Sequence, residues 1–207
     1  MKIGIVSSPL TAPGGVKEHA LALADYLRRQ GHSVKVIAPP AKDRPENSGN
    51  DTIIFGRSLP LVANASCGYL GISLKPGEVR EMLERERFDL IHYHGGGLLE
   101  FQIAEHSEAV NILTLHANPE GSTVLASFPF LLDIAKAWAK DKIQGLLAVS
   151  PVAASLWSNF PGPFQIIPNG VDLRRFSPQA PKIEKYRDGK INILFVGRFD
   201  KRKGLAL

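Results

Sequence analysis

The sequence predicts an α/β fold built on an open parallel sheet. Three observations point there. Short β-branched runs alternate with longer amphipathic runs along most of the 207 residues, the pattern of parallel strands joined by helices. The composition, 44% apolar and 22% charged, is that of a globular chain with enough apolar surface to bury a core. No internal repeat at a fixed period is visible, which excludes solenoids and propellers.

The elements follow in order. Residues 2–6 (Lys-Ile-Gly-Ile-Val) form the first strand. A long loop through Gly14 and Gly15 leads to a helix whose apolar positions Val16, Ala20, Leu23 and Leu27 repeat at helical spacing, and Gly31 ends it. Residues 34–38 form the second strand, Pro39-Pro40 opens a polar loop to Asn50, and residues 53–55 form a third strand. Residues 56–75, rich in Gly, Ser and Pro, give no clear pattern. A charged helix over 78–87, a strand over 90–93, a helix over 98–109, a strand over 112–115, a helix over 130–142 and a strand over 146–149 come next. Ser150 followed by Pro151 is a helix start. Residues 164–167 form the last strand of this set, closed by a Pro168-Asn169-Gly170 turn.

Beyond Gly170 the character changes. Residues 171–190 have a linker composition, with Pro178 and Pro181, and residues 191–196 read as one strong apolar strand running into a cationic turn. A lone strand and helix turn cannot fold by themselves, so the chain is expected to be the N-terminal piece of a longer protein. The alternative is that the strand joins the first domain's sheet. The formal charge of +5 follows the same division: residues 1–173 hold 15 Lys+Arg against 17 Asp+Glu, while residues 174–207 hold 10 against 3. No apolar run approaches the ~18 residues that would span a bilayer, and the N-terminus is too strand-like for a secretion signal. With one cysteine, Cys67, the cytosol is the expected compartment.

The chemistry-bearing residues collect at strand ends, where open parallel sheets bind ligands. Gly14 and Gly15 admit positive φ and close backbone approach, and the following helix start favours an anion; a plain turn is the alternative. His92 and His94 share one face of their strand and His116 ends the next, an arrangement read, ahead of a zinc site, as His116 and His94 lining a cleft as hydrogen-bonding groups with His92 at or near the core. His19 faces the cleft or solvent. Gly95-Gly96-Gly97 again places bare backbone at a strand end, against a helix start or as a simple turn. Arg198, Lys201, Arg202 and Lys203 crowd a turn between Gly197 and Gly204, suited to a diphosphate. With only Phe199 interleaved and no nucleic-acid module present, nucleic acid is not the expected partner. There is no G-x-S-x-G for a hydrolase.

Several segments, in this order and spacing, resemble glycosyltransferase family 4: Ala12-Pro13-Gly14-Gly15-Val16 with His19, Gly31-His32-Ser33-Val34, Asp89-Leu90-Ile91-His92-Tyr93-His94, Thr114-Leu115-His116, Ala148-Val149-Ser150, Ile167-Pro168-Asn169-Gly170-Val171-Asp172 with Phe176 and Pro178, and Phe195-Val196-Gly197-Arg198 with Arg202-Lys203-Gly204. The likeness extends over nearly the whole chain and is strongest to phosphatidylinositol mannosyltransferase-like members. It implies the GT-B architecture of two facing Rossmann-like domains: residues 1–172 as the acceptor-side domain, 173–190 as linker and 191–207 as the start, with its first strand, of the donor-binding domain.

The resemblance further implies transfer of a sugar, mannose or another hexose, from a nucleotide-diphosphate sugar to a glycan or lipid-linked acceptor, with retention of configuration and no metal ion or other cofactor. Arg198 and Lys203 match the pair that contacts the donor diphosphate, and Gly15, beside Gly14, matches the glycine that meets the donor. His116 matches the active-site histidine. His19, His94 and Gly95 are the remaining cleft or acceptor candidates, and Asn169-Gly170 matches the interdomain hinge. Two departures stand out. The carboxylate pair E-x7-E of the family's C-terminal domain is not reached by residue 207, so the chain by itself is expected not to turn over. The helix that is basic and membrane-touching in the phosphatidylinositol enzymes reads Glu78-Val79-Arg80-Glu81-Met82-Leu83-Glu84-Arg85-Glu86-Arg87 here, with four Glu against three Arg, from which an anionic membrane gains little. The expected location is the cytoplasm, and this helix gives little support to association with the inner membrane face. A nicotinamide-dependent oxidoreductase, which wants G-x-G-x-x-G and an acidic end to the second strand where this chain has Ala38-Pro39-Pro40, and a non-catalytic sugar- or anion-binding module are the rival readings.

Overall fold

A computed structural model describes residues 1–10, 14–40, 49–63, 66–75, 77–116, 129–157, 159–181, 183–187 and 189–197. Seven strands form one parallel sheet: β1 (Lys2–Val6), β2 (Ser33–Ala38), β3 (Thr52–Ile54), β6 (Leu90–Tyr93), β7 (Val110–Leu115), β8 (Gly145–Ala148) and β9 (Phe164–Ile166). Their spatial order is β3-β2-β1-β6-β7-β8-β9. The chain therefore winds outward from β1 to β3, returns, and winds outward again from β6 on the other side of β1. Such a reversal of strand order leaves a crevice at the carboxyl ends of the two strands that flank it, here β1 and β6.

Alternation along the strands divides the apolar residues between two faces. Ile3 and Ile5 of β1 and Val34 and Val36 of β2 bury against Ala20 and Ala24 of α1 (Gly15–Arg29). Val6, Ile37, Ile91, Tyr93, Leu113 and Leu146 point the other way, into a larger core with Val79 and Met82 of α2 (Glu78–Glu86), Leu99 and Ile103 of α3 (Leu98–His106) and Ala139 of α4 (Pro129–Lys142). The predicted Gly31 stop is formed as expected, at φ 85°. Ser150 caps the short helix α5 (Pro151–Ala154), its hydroxyl accepting the Ala153 N–H at 3.1 Å.

Four expectations are corrected. Residues 56–75 carry an antiparallel hairpin, β4 (Arg57–Ala63) with β5 (Ser66–Ile72), outside the main sheet. Its Pro and Gly content hid it, and Gly71 has a packing reason: a Cβ there would meet Pro39 at 3.0 Å and Leu99 at 3.2 Å, so a larger residue would push these neighbours aside where the hairpin settles against α3. Helix α3 ends at His106 because Ser107 turns extended and its hydroxyl takes up the Ala109 N–H at 3.1 Å. Residues 167–170 form no hydrogen-bonded turn but continue irregularly from β9, after Ile167 donates to the Ala148 carbonyl at 2.8 Å. Residues 191–196 are in no strand and join neither sheet, with Ile191 93% and Ile193 94% exposed. A strand needs a hydrogen-bonded neighbour, and none lies beside this run among the described residues.

The amino end of the sheet is held by charge. Glu86, at the end of α2 and only 6% exposed, pairs with Lys2 of β1 at 3.0 Å and Lys35 of β2 at 2.9 Å. Burial by itself raises its carboxyl pKa, but the hydrogen bonds and charges of the two lysines more than offset this and hold it at about 2. Glu86→Ala should therefore lower the unfolding free energy by about 2 kcal/mol at neutral pH. Because the folded pKa lies below the unfolded one, the stabilisation is complete above about 4.5 and shrinks towards 2. Urea midpoints at pH 7 and 3.5 should show the gap between wild type and variant narrowing at the lower pH.

Candidate functional site

Four histidines gather at the carboxyl ends of β6 and β7 and the first turns of α1. His92 and His94 stand on the same face of β6, ring centroids 4.4 Å apart. His116, just past β7, places Nε2 3.0 Å from His94 Nδ1, so that one ring donates to the other. His19 of α1 closes the group, 5.3 Å from the His94 ring and 5.0 Å from that of His116. His92 is buried as well, with Nε2 2.7 Å from the Thr114 hydroxyl of β7. His19 Nδ1 donates to Asn169 Oδ1, 2.9 Å away, so the segment leaving β9 also reaches the site.

Three of these imidazoles are neutral at physiological pH. Burial, followed by the charges of His19 and His116, lowers His92 from 6.5 to about 4. Burial, then His92, His116 and His19, lowers His94 to about 2. Burial and His19 lower His116 to about 4. These three thus offer hydrogen bonds without charge. Each ring of the cluster engages another ring, Thr114 or Asn169, and among the described residues no three His, Cys, Asp or Glu side chains are disposed around a cation.

The two glycine clusters differ in what they present. Gly14 is the N-cap of α1, and no side chain caps the helix start. Its φ of 166° is extended backbone, so the expected need for positive φ is not met there. A Cβ on Gly14 or Gly15 would meet nothing within 4 Å. Packing within the chain does not demand glycine at either position; the bare, uncapped amides face open space, which suits an anion. Gly95 does take a positive φ, 143°, at the bend out of β6. Its cluster leads into α3, where the Glu100 carboxyl folds back onto the Gly97 and Glu100 N–H groups, so closely that a Cβ on Gly97 would lie 2.6 Å from Oε2. Burial raises the Glu100 carboxyl pKa against hydrogen bonds from the Glu100 and Gly97 N–H groups. The expectation of bare backbone at a helix start holds in position, but this helix end is self-capped.

Of the sequence candidates, His19, His94 and His116 are in mutual contact, and Gly14, Gly15 and Gly95 lie on the loops around them. Arg198 and Lys203 lie outside the described residues. Three participants are not marked by the sequence as side chains of the site. Thr114 and Asn169 are hydrogen-bond partners of the histidines. Ser7, fully buried just past β1, keeps a hydroxyl without a partner. A small polar residue immediately after a first strand is the available signal for Ser7; Asn169 carries the signal of a turn and, by the family resemblance, of a hinge, neither of which marks it as a partner of His19.

The family model for Glycosyltransferase Family 4 matches residues 13–175. The phosphatidyl-myo-inositol mannosyltransferase of Mycolicibacterium smegmatis is 32% identical over 215 residues, covering 100% of this chain and 53% of that protein. The protein of the same name from Mycobacterium leprae is 33% identical over 216 residues, covering 100% and 55%. The chain spans about half the length of the curated relatives it matches. Among solved structures, Anabaena Alr3699/HepE in complex with UDP-glucose superposes with a TM-score of 0.54 at 16% identity, over 86% of this chain and 47% of that one, a likeness of fold. No helix among the described residues is long and apolar enough to cross a membrane.

The buried histidines make stability pH-dependent. Each stays neutral in the folded chain where the unfolded chain takes up a proton near 6.5. Their contribution is whole above that pH and falls as the pH drops towards about 4, by up to ~1.4 kcal/mol per group and pH unit. Urea unfolding between pH 7.5 and 4.5 should show a falling midpoint, and His94→Gln should flatten the slope. An unchanged slope in that variant would show that His94 titrates alike in both states.

Proposed function

Because the chain belongs to glycosyltransferase family 4, we propose that it forms the acceptor-side wall of a retaining GT-B enzyme. On this reading the enzyme moves mannose or another hexose from a nucleotide-diphosphate sugar to a glycan or lipid-linked acceptor. The observation that carries the reading is the pairing, at one crevice, of an uncapped glycine helix start with a neutral histidine pair. The first suits an anionic leaving group, the second a sugar hydroxyl, and sugar transfer from a nucleotide diphosphate brings both to one place.

The division of labour follows from the chemistry. The C–O bond between sugar and diphosphate breaks with its electron pair on the phosphate, so charge grows on the leaving group in the transition state. Arg198 and Lys203 neutralise it from the far side of the cleft, while the amides after Gly14 and Gly15 meet it from this side. Fixed cations and dipoles do the work that a metal ion does elsewhere, and no metal is required. His116 hydrogen-bonds the transferred sugar, and its ring is held in place by His94, 3.0 Å away. Being neutral, it orients a hydroxyl without competing for the diphosphate. Residues 191–196, exposed and unpaired, take their place in the sheet of the donor domain, and the chain of 207 residues does not turn over by itself. The acceptor's lipid character rests on the activity for which the mycobacterial relatives are named.

In the complete enzyme, Lys203→Ala and Arg198→Ala should each lower kcat/KM by on the order of a hundredfold or more, as for loss of one charge-stabilising donor. Calorimetric titration with a nucleotide diphosphate should show the matching loss of affinity, and EDTA should leave turnover unchanged. Wild-type kinetics in the Lys203 variant would sink the assignment.

A further inference from the structure

We propose that Ser7 Oγ and His94 Nε2 together form the floor of a subsite that grips one neutral hydroxyl of the sugar or polyol substrate. This rests on the glycosyltransferase reading and deepens it, because it names a residue, Ser7, and a substrate group.

Ser7 is 0% exposed and His94 2% exposed, and each keeps one polar atom without a hydrogen-bond partner. Buried polar atoms without partners are scarce in folded proteins, and each calls for a reason. Among the described residues Ser58, Trp138 and Trp157 also carry one, but Ser7 and His94 are the two that the strand register brings to neighbouring positions. β1 and β6 pair in parallel with Val6 opposite Tyr93, and the His94 N–H donates to the Val6 carbonyl at 3.0 Å. Ser7 and His94 are therefore the next rung of the ladder. By the two-residue alternation of strands both stand on the face of Ile5 and His92, the face that α1 covers. That rung is the carboxyl end of the two strands flanking the reversal of strand order. His19 of α1 lies above it, 5.3 Å from the His94 ring.

The chemistry selects the ligand. The other ring nitrogen of His94 is already used by His116, which leaves Nε2 a single role, donor or acceptor, set by the tautomer. A serine hydroxyl donates and accepts. Between them they match a substrate hydroxyl, which also does both, and neither carries a charge for a phosphate. A phosphate belongs instead at the uncapped amides of α1. The Ser7 hydroxyl makes no bond within the chain that would give it a structural role.

This gives Ser7→Ala an unusual signature. The substitution removes a buried hydroxyl that makes no bond in the free chain, so the melting temperature should stay level or rise. Affinity for the hydroxyl ligand should fall by about tenfold, the worth of one hydrogen bond made in a buried site. The probes are D-mannose and myo-inositol, the neutral polyols in the relatives' names. They are titrated into the 15N-histidine-labelled chain, with inorganic phosphate as a control. The expected result is movement of the His94 Nε2 resonance with a polyol and not with phosphate, weakened in Ser7→Ala. No movement with either polyol overturns the proposal, as does a Ser7→Ala chain that binds like wild type, or one that melts lower with unchanged affinity. These outcomes leave the family reading standing, because donor binding through Arg198 and Lys203 is measured separately.

Discussion

The reversal of strand order between β1 and β6 is the constraint from which the rest of the molecule follows. A right-handed crossover deposits each new strand on one side, so a chain that builds β1-β2-β3 and then β6-β7-β8-β9 must leave a crevice beside β1. The same winding puts α1 on one face and α2, α3 and α4 on the other, giving two separate apolar cores. It also separates two kinds of polar chemistry. At the amino end, Glu86 sits between Lys2 and Lys35, every charge in contact with an opposite one and serving stability. At the carboxyl end, neutral rings and bare amides are left with bonding capacity to spare. Only the second end is chemically unfinished.

Much of this is legible in the sequence because periodicity reports burial. The β-branched runs locate β1, β2, β6, β7 and β8, and the spacing of Val16, Ala20, Leu23 and Leu27 locates α1. Strand parity alone puts the His92 and His94 rings on one face, and there they stand. What stays hidden depends on register and on distant partners. That His94 meets His116 follows from the alignment of β6 with β7, which no local pattern encodes. The β4–β5 hairpin carries Pro60, Gly68 and Gly71, which read as breakers, yet Gly71 is there to let the hairpin close on Pro39 and Leu99. The reverse case is residues 191–196, whose strand propensity is real but which have no neighbour to pair with among the described residues.

Two glycine clusters that look alike in sequence prove chemically unlike. Gly14-Gly15 opens a helix whose first amides are unclaimed, whereas Gly95-Gly97 opens one whose amides are taken by Glu100. The distinction lies in one letter. An acidic residue three places after the N-cap is the capping-box position, and Glu100 occupies it while the third residue after Gly14 is Lys17. A glycine-rich loop is thus better judged by the residue at N3 of its helix than by its glycines.

The His19–Asn169 hydrogen bond closes a circuit of 150 residues, from the start of α1 to the segment that leaves β9. The chain leaves the sheet from its edge strand, β9, and within three residues Asn169 has come back to the histidine group. Arg198 and Lys203 follow within about thirty-five residues of that anchor. A tether of this kind sets a local concentration on the order of millimolar for whatever it carries relative to the site, before any specific contact forms. Any encounter of that segment with the site is then effectively intramolecular, so its frequency is governed by the length and stiffness of residues 170–197 and not by the abundance of the protein.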